Sequence, residues 1–214
     1  MNKKQKKERI AAIAEALEEI YPESVCALEY EGEPWKLLVM ARLSAQCTDA
    51  RVNLVSKTLF LKFPTVEAMA EGELQEIEEC VRPCGLFRTK AASIKESCAI
   101  LRDRFGGRVP DNMEDLLSLP GVGRKIANLI LGDIYGQPGI VADTHCIRIC
   151  GRFGMYDTKL KDPYKVEKIL SELVEPGKQS DFCHRIVQFG RDTCMARNPK
   201  CEECAIRHLC AYQK

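Results

Sequence analysis

Residues 113–135 read MEDLLSLPGVGRKIANLILGDIY, and this stretch decides the fold. It predicts two helices, Met113 to Leu119 and Lys125 to Tyr135, joined by Pro120-Gly121-Val122-Gly123. A Gly-x-Gly hairpin lets the backbone approach something closely, because neither glycine carries a side chain. The helix beyond it points backbone N–H groups outward, a ready site for a phosphate. A helix–hairpin–helix of this kind suits a clamp on a DNA backbone. Taken alone, Gly-x-Gly is as often a simple tight turn.

Helical patterning extends outward from this stretch in both directions. Ile10, Ile13, Ala14, Leu17 and Ile20 share one face, and Pro22 ends that segment. Trp35, Leu38, Val39 and Ala41 to Leu43 mark a second helix. A third is expected from Asp49, read as its cap, to Phe63 before Pro64. Short helices follow after Thr65 and over Glu73 to Val81. Lys90 to Phe105 carries one apolar stripe, stopped by Gly106-Gly107. Beyond the hairpin, Thr144 to Phe153, Tyr164 to Val174 and Asp181 to Asp192 complete the set. No segment alternates as a strand does, so the chain reads as all-α.

The bulk numbers agree with a globular protein. The chain has 214 residues, 45% hydrophobic and 29% charged, enough for one large domain or two small lobes. No apolar run approaches bilayer length, and no membrane role is expected. The basic Met1 to Lys7 run has no apolar core behind it, so no export signal is expected. It reads as a solvated helix start or a frayed tail rather than a DNA-binding arm. A net charge of +1 gives no global basic surface for nucleic acid, although a local patch would suffice.

Twelve cysteines are many for this length. With no export signal they read as cytoplasmic thiols, some of them metal ligands, rather than a disulfide framework. Cys194, Cys201, Cys204 and Cys210 are separated by six, two and five residues. Four thiolates on one short loop can surround a soft metal centre. Zinc and a [4Fe–4S] cluster both accept four cysteines. Structural zinc sites often pair two Cys-x-x-Cys hooks. Here there is one hook, Cys201 to Cys204, with single ligands on both sides, and the pattern leans toward iron–sulfur.

Lys125 falls in the first turn of the helix after the hairpin. The positive dipole end and Arg124 both disfavour a protonated amine there. A neutral amine can attack a carbon centre and form a Schiff base. Asp143 follows eighteen residues on, just before a helix. Each has a plainer reading: Lys125 as a solvated surface lysine, Asp143 as an N-cap.

Five motifs then occur in order: LSAQCTD (43–49), CGLFRTKA (84–91), LPGVGRKIAN (119–128), VADTHCIRIC (141–150) and GRDTC (190–194), ahead of the cysteine tail. Together they resemble endonuclease III, of the helix–hairpin–helix DNA glycosylase superfamily, over nearly the whole chain. The resemblance implies two helical lobes with a cleft between them. Residues 24–136 would form a six-helix bundle with the hairpin; residues 1–23 plus 137–214 would form a discontinuous lobe with a [4Fe–4S] cluster. It implies a bifunctional DNA glycosylase and AP lyase in base excision repair, removing oxidised pyrimidines from double-stranded DNA. Lys125 would form the imine and Asp143 would stabilise positive charge on the sugar. Gln46 and Leu86 would fill the gap left by the flipped nucleotide. Gly121, Val122 and Gly123 would offer backbone amides to phosphate, with Arg124 adding charge. Cys194, Cys201, Cys204 and Cys210 would hold the cluster, and Arg197, Lys200 and Arg207 would face the DNA backbone. A cytoplasmic monomer is expected.

Departures from the family pattern are Ala142 where valine is usual, Phe189 where histidine is common, and added thiols at Cys47, Cys146 and Cys150. His145 reads as a structural hydrogen-bonding histidine. Two rival functions remain open. A mismatch-specific glycosylase of the same superfamily is expected to carry tyrosine in place of Lys125. A non-catalytic iron–sulfur protein that binds DNA or senses redox state would keep the cluster and hairpin without a working Lys125/Asp143 pair.

Overall fold

A computed structural model of the chain describes residues 1–212. Residues 213 and 214, the end of the expected cluster lobe, lie outside the described residues. Among those described, every regular element is a helix. The chain divides into two compact units, Ala27–Tyr135 and Met1–Cys26 with Gly136–Lys214.

Where the resemblance implies six helices, the Ala27–Tyr135 unit holds seven α-helices: α2 (Pro34–Leu43), α3 (Asp49–Lys62), α4 (Val66–Glu71), α5 (Leu74–Val81), α6 (Phe87–Phe105), α7 (Met113–Leu117) and α8 (Arg124–Tyr135). Its centre is α6, whose buried face, Ala91, Ile94, Cys98 and Leu101, packs on α4 and α5. Helix α2 is buried on nearly every side, with Leu37, Leu38, Val39, Met40 and Leu43 at or below 1% exposure. Each such side chain contributes about 1.5–3 kcal/mol by leaving water. Helix α8 packs on α2 and on α7, which fixes the hairpin against the core.

Local signals explain most boundaries. Thr48, in extended backbone, caps α3 by accepting from the Arg51 N–H; Asp49, expected as the cap, is instead the first helical residue. Its carboxylate still favours the positive end of the helix dipole. Helix α6 starts at Phe87, three residues before the expected Lys90. Leu86 precedes it in left-handed backbone with no side-chain cap, so no cap signal marks that start.

The other unit contains α1 (Lys3–Ile20), α9 (Thr144–Arg152), α10 (Pro163–Leu173) and α11 (Gln179–Asp192). Asn2 and Gln5 close a capping box on α1, so the basic run is an ordered, solvated helix start. Ile10, Ile13 and Leu17 from α1 join Ile149, Leu170, Phe182 and Ile186 in one core. Helix α11 packs against α9 and α1. Among the described residues, no helix is long and apolar enough to cross a membrane.

Candidate DNA-facing hairpin and cluster loop

The hairpin is held from two sides. Ser97 on α6 donates to the Pro120 carbonyl at 3.0 Å, and Arg42 Nε on α2 donates to Ser93 Oγ at 2.9 Å. Gly121 has φ +76°, and a Cβ there would overlap the Arg42 side chain. Glycine is therefore required at 121 by the fold itself. Gly123 differs: a Cβ there would meet nothing within 4 Å. No packing within the protein explains that glycine, while a ligand approaching the backbone would. Val122 is a core residue, 7% exposed, and its N–H closes the turn on the Leu119 carbonyl at 3.1 Å. Of the three hairpin amides expected to meet phosphate, this one is already engaged.

Lys125 is the second residue of α8 and is exposed; Arg124 before it is half-buried. Asp143 lies in the other unit as the N-cap of α9, half-buried. Its Oδ1 accepts the Cys146 N–H at 2.7 Å, which fixes the carboxylate and leaves Oδ2 as the second oxygen. The plainer expectation for Asp143, an N-cap, thus holds alongside any chemical role.

Gln46 and Leu86 both lie in the Ala27–Tyr135 unit and share an unusual geometry. Both are exposed, Leu86 at 59%, and both have left-handed backbone, φ +54° and +48°. A non-glycine residue pays steric strain of about 1–2 kcal/mol there. An exposed leucine held in strained backbone is poor for stability and good for presenting a wedge.

The four tail cysteines line one cavity together with Phe153, Phe189, Arg152 and Tyr212. Among the described residues, no three His, Cys, Asp or Glu side chains converge tightly enough to hold a single metal ion. The four cysteines line one shared cavity, and four thiols are the donor set a [4Fe–4S] cluster takes. Burial pushes the Cys204 and Cys210 thiols up, and the neighbouring cysteines add to it. Bound iron reverses this by stabilising thiolate. Phe153 and Phe189 stack at 6.0 Å to form an apolar wall. Phe189, a departure from the family pattern, is thus a buried core residue.

Two arginines of α9, not anticipated from the sequence, tie the tail down. Arg152 donates to Cys194 Sγ at 3.2 Å and to the Met195 and Ala196 carbonyls at 2.8 and 3.2 Å. Arg148 donates to the Cys194 carbonyl at 3.0 Å and meets His145 Nδ1 at 3.2 Å. Their i,i+4 spacing on one helix was the available signal. Arg197, Lys200 and Arg207 are exposed. The added thiols Cys146 and Cys150 are buried, and Cys146 is held well above the ordinary thiol range, first by its hydrogen bond with Cys150. Such thiols are inert packing residues.

This fold and hairpin define a class. Residues 39–176 match the model of the HhH-GPD superfamily of base excision DNA repair proteins, and residues 194–210 match the iron–sulfur binding domain of endonuclease III. The chain is 43% identical to endonuclease III of Synechocystis over 206 residues, covering 96% of this chain and 93% of the relative. A non-covalent endonuclease III–DNA complex superposes with a TM-score of 0.89 at 37% identity, covering 99% of this chain and 96% of that one. A trapped covalent endonuclease III–DNA intermediate matches with the same TM-score, identity and coverage. The chain belongs to the endonuclease III family, and a [4Fe–4S] cluster is its cofactor.

Proposed function

We propose that Lys125 is the nucleophile, and Asp143 the charge-stabilising carboxylate, of a bifunctional DNA glycosylase and AP lyase acting on oxidised pyrimidines in base excision repair. The observation that carries this is the placement of an exposed Lys125 in the first turn of α8, directly after a hairpin whose Gly123 backbone is open to approach.

The chemistry follows from these groups. Double-stranded DNA binds through its phosphates at the Gly121 and Gly123 amides, with Arg124 adding charge. The damaged nucleotide leaves the stack, and Gln46 and Leu86 occupy its place. Lys125 Nζ, neutral at the moment of attack, bonds to sugar C1′ as the base departs with its electron pair. The resulting amine opens the ring to an imine. Loss of a C2′ proton then expels the 3′ phosphate by β-elimination, breaking the strand 3′ to the site. Positive charge on the sugar during base loss faces the Asp143 carboxylate, whose fixed orientation needs no rearrangement. A mismatch glycosylase without a lysine nucleophile would lack the imine and the strand break.

Cys194, Cys201, Cys204 and Cys210 are proposed as the cluster ligands. The cluster supplies structure rather than bond-making: it closes the tail loop and presents Arg197, Lys200 and Arg207 to the DNA backbone. The compact units, 27–135 and 1–26 with 136–214, support the proposed lobes of 24–136 and of 1–23 with 137–214 to within three residues at each boundary. One chain carries nucleophile, carboxylate and cluster, so a monomer is a complete catalyst. The proposed location is cytoplasmic, and nucleoid-associated if the host is prokaryotic, where the DNA substrate lies.

Borohydride trapping on duplex DNA with an abasic site tests the assignment. The wild type is expected to give a covalent adduct and Lys125→Gln none, with DNA binding retained. Normal binding without any adduct in the wild type would favour the non-catalytic alternative.

A further inference from the structure

Lys90 is a buried cation with no place in the chemistry above. It is 0% exposed, an unusual state for a lysine. Its Nζ donates to the Leu43 carbonyl and to the Cys84 carbonyl, each at 2.8 Å. Its own N–H donates to the Leu86 carbonyl at 3.0 Å. Burial holds its pKa below the ordinary lysine value, the sign of an ammonium that is costly to keep inside.

The acceptors explain the cost. Leu43 is the last residue of α2, and three residues on the chain reaches Gln46. Cys84 ends the Arg82–Cys84 turn, and two residues on it reaches Leu86. One nitrogen therefore grips both loops at their roots, while the backbone bond to the Leu86 carbonyl is the first helical bond of α6 and does not depend on the side chain. Both loops end in a non-glycine residue in left-handed backbone, φ +54° at Gln46 and +48° at Leu86. Such strain relaxes unless surrounding structure over-determines it. A methionine of similar volume would fill the space, but it would leave the Leu43 and Cys84 carbonyls without this donor and fix neither loop.

We propose that Lys90 is a positioning residue for lesion recognition: its ammonium staples the two loops so that Gln46 and Leu86 enter the duplex together. This rests on the reading of Gln46 and Leu86 as the gap-filling residues. Lys90 touches no DNA and acts through the loops.

The test uses the full chain with its cluster and two substrates. One is a lesion in duplex DNA, where a gap must be filled; the other is a preformed abasic site in a single strand, where there is no gap. Lys90→Met is expected to lower duplex kcat/KM by about ten- to a hundredfold, the scale of a misplacement near 1 Å. Strand cleavage of the single-stranded abasic substrate should stay within about twofold. Adding Lys90→Met to Leu86→Ala should cost little more than Leu86→Ala alone. An equal loss on both substrates, no loss on the duplex, or additive effects would overturn the staple. If Lys90→Met does not fold, Lys90→Arg, which keeps the cation but changes its reach, takes its place: a loss confined to the duplex supports the staple, and an equal loss on both substrates or none on the duplex overturns it. Leu86→Ala alone separates the two ideas. If it leaves duplex excision unchanged, the gap-filling reading fails. If it lowers excision while Lys90→Met does not, that reading stands and the staple fails.

Discussion

The hairpin segment and the cysteine tail reach order by opposite routes. In residues 113–135 the chain buries Leu116, Leu119, Val122, Ala127, Ile130 and Leu131, and this packing, with the Ser97 bond to the Pro120 carbonyl, fixes the turn. In residues 194–210 only Ile206 is buried. The tail is held by Arg148 and Arg152 donating to its carbonyls, and by four cysteines around a shared space. A hydrophobic core needs no cofactor; a loop with one core residue does. The proposed nucleophile Lys125 thus lies on the self-sufficient segment, and the proposed DNA-facing charges Arg197, Lys200 and Arg207 lie on the dependent one.

Breaking the cluster should separate the two segments. Cys204→Ser is expected to lower iron below the roughly four atoms per chain of a Cys₄-ligated [4Fe–4S] centre. It should cost about 4 kcal/mol or more in stability. Amide hydrogen exchange should rise in residues 194–210 while residues 113–135 keep their protection. Equal loss of protection in both segments would mean that the hairpin also depends on the cluster.

Asp143→Asn sharpens the division between fold and chemistry. Asparagine caps a helix as well as aspartate does, so the thermal midpoint should barely move. Base excision should fall by about a hundred- to a thousandfold, the scale for removing a preorganised charge. A large drop in melting temperature would reduce Asp143 to a structural role.

The smallest effects come from the two hairpin glycines, and they should differ in kind. Gly121→Ala should destabilise the chain by about 1–3 kcal/mol through backbone strain and overlap with Arg42. Gly123→Ala should leave chemical denaturation nearly unchanged, within about 0.5 kcal/mol, yet weaken DNA binding. Equal stability losses with unchanged binding would remove the argument that Gly123 is kept for a phosphate.

Much of this was legible in the sequence. The helices, the hairpin and the cysteine spacing follow from periodicity, punctuation and counting, because each is a local signal. Thr48 and Asp49 both fit a cap, and only the extended backbone of Thr48 decides between them. Val122 looks like a hairpin tip and is core, since α8 packs back on α2 and α7 and carries the turn inward. Lys90 sits in the polar run Arg88-Thr89-Lys90, where a lysine is ordinarily solvated. One of the carbonyls that bury it comes from Leu43, forty-seven residues away. No local pattern carries such a contact. Arg152 was hidden in the same way, its acceptors lying more than forty residues on.

The central claim is that Lys125 bonds covalently to the sugar. Reducing the enzyme–DNA intermediate with borohydride, digesting it and mapping the modified peptide by mass spectrometry tests this most directly. The deoxyribose remnant is expected on Lys125, in the peptide that follows Gly121-Val122-Gly123. A remnant on another lysine or on the N-terminal amine would contradict it.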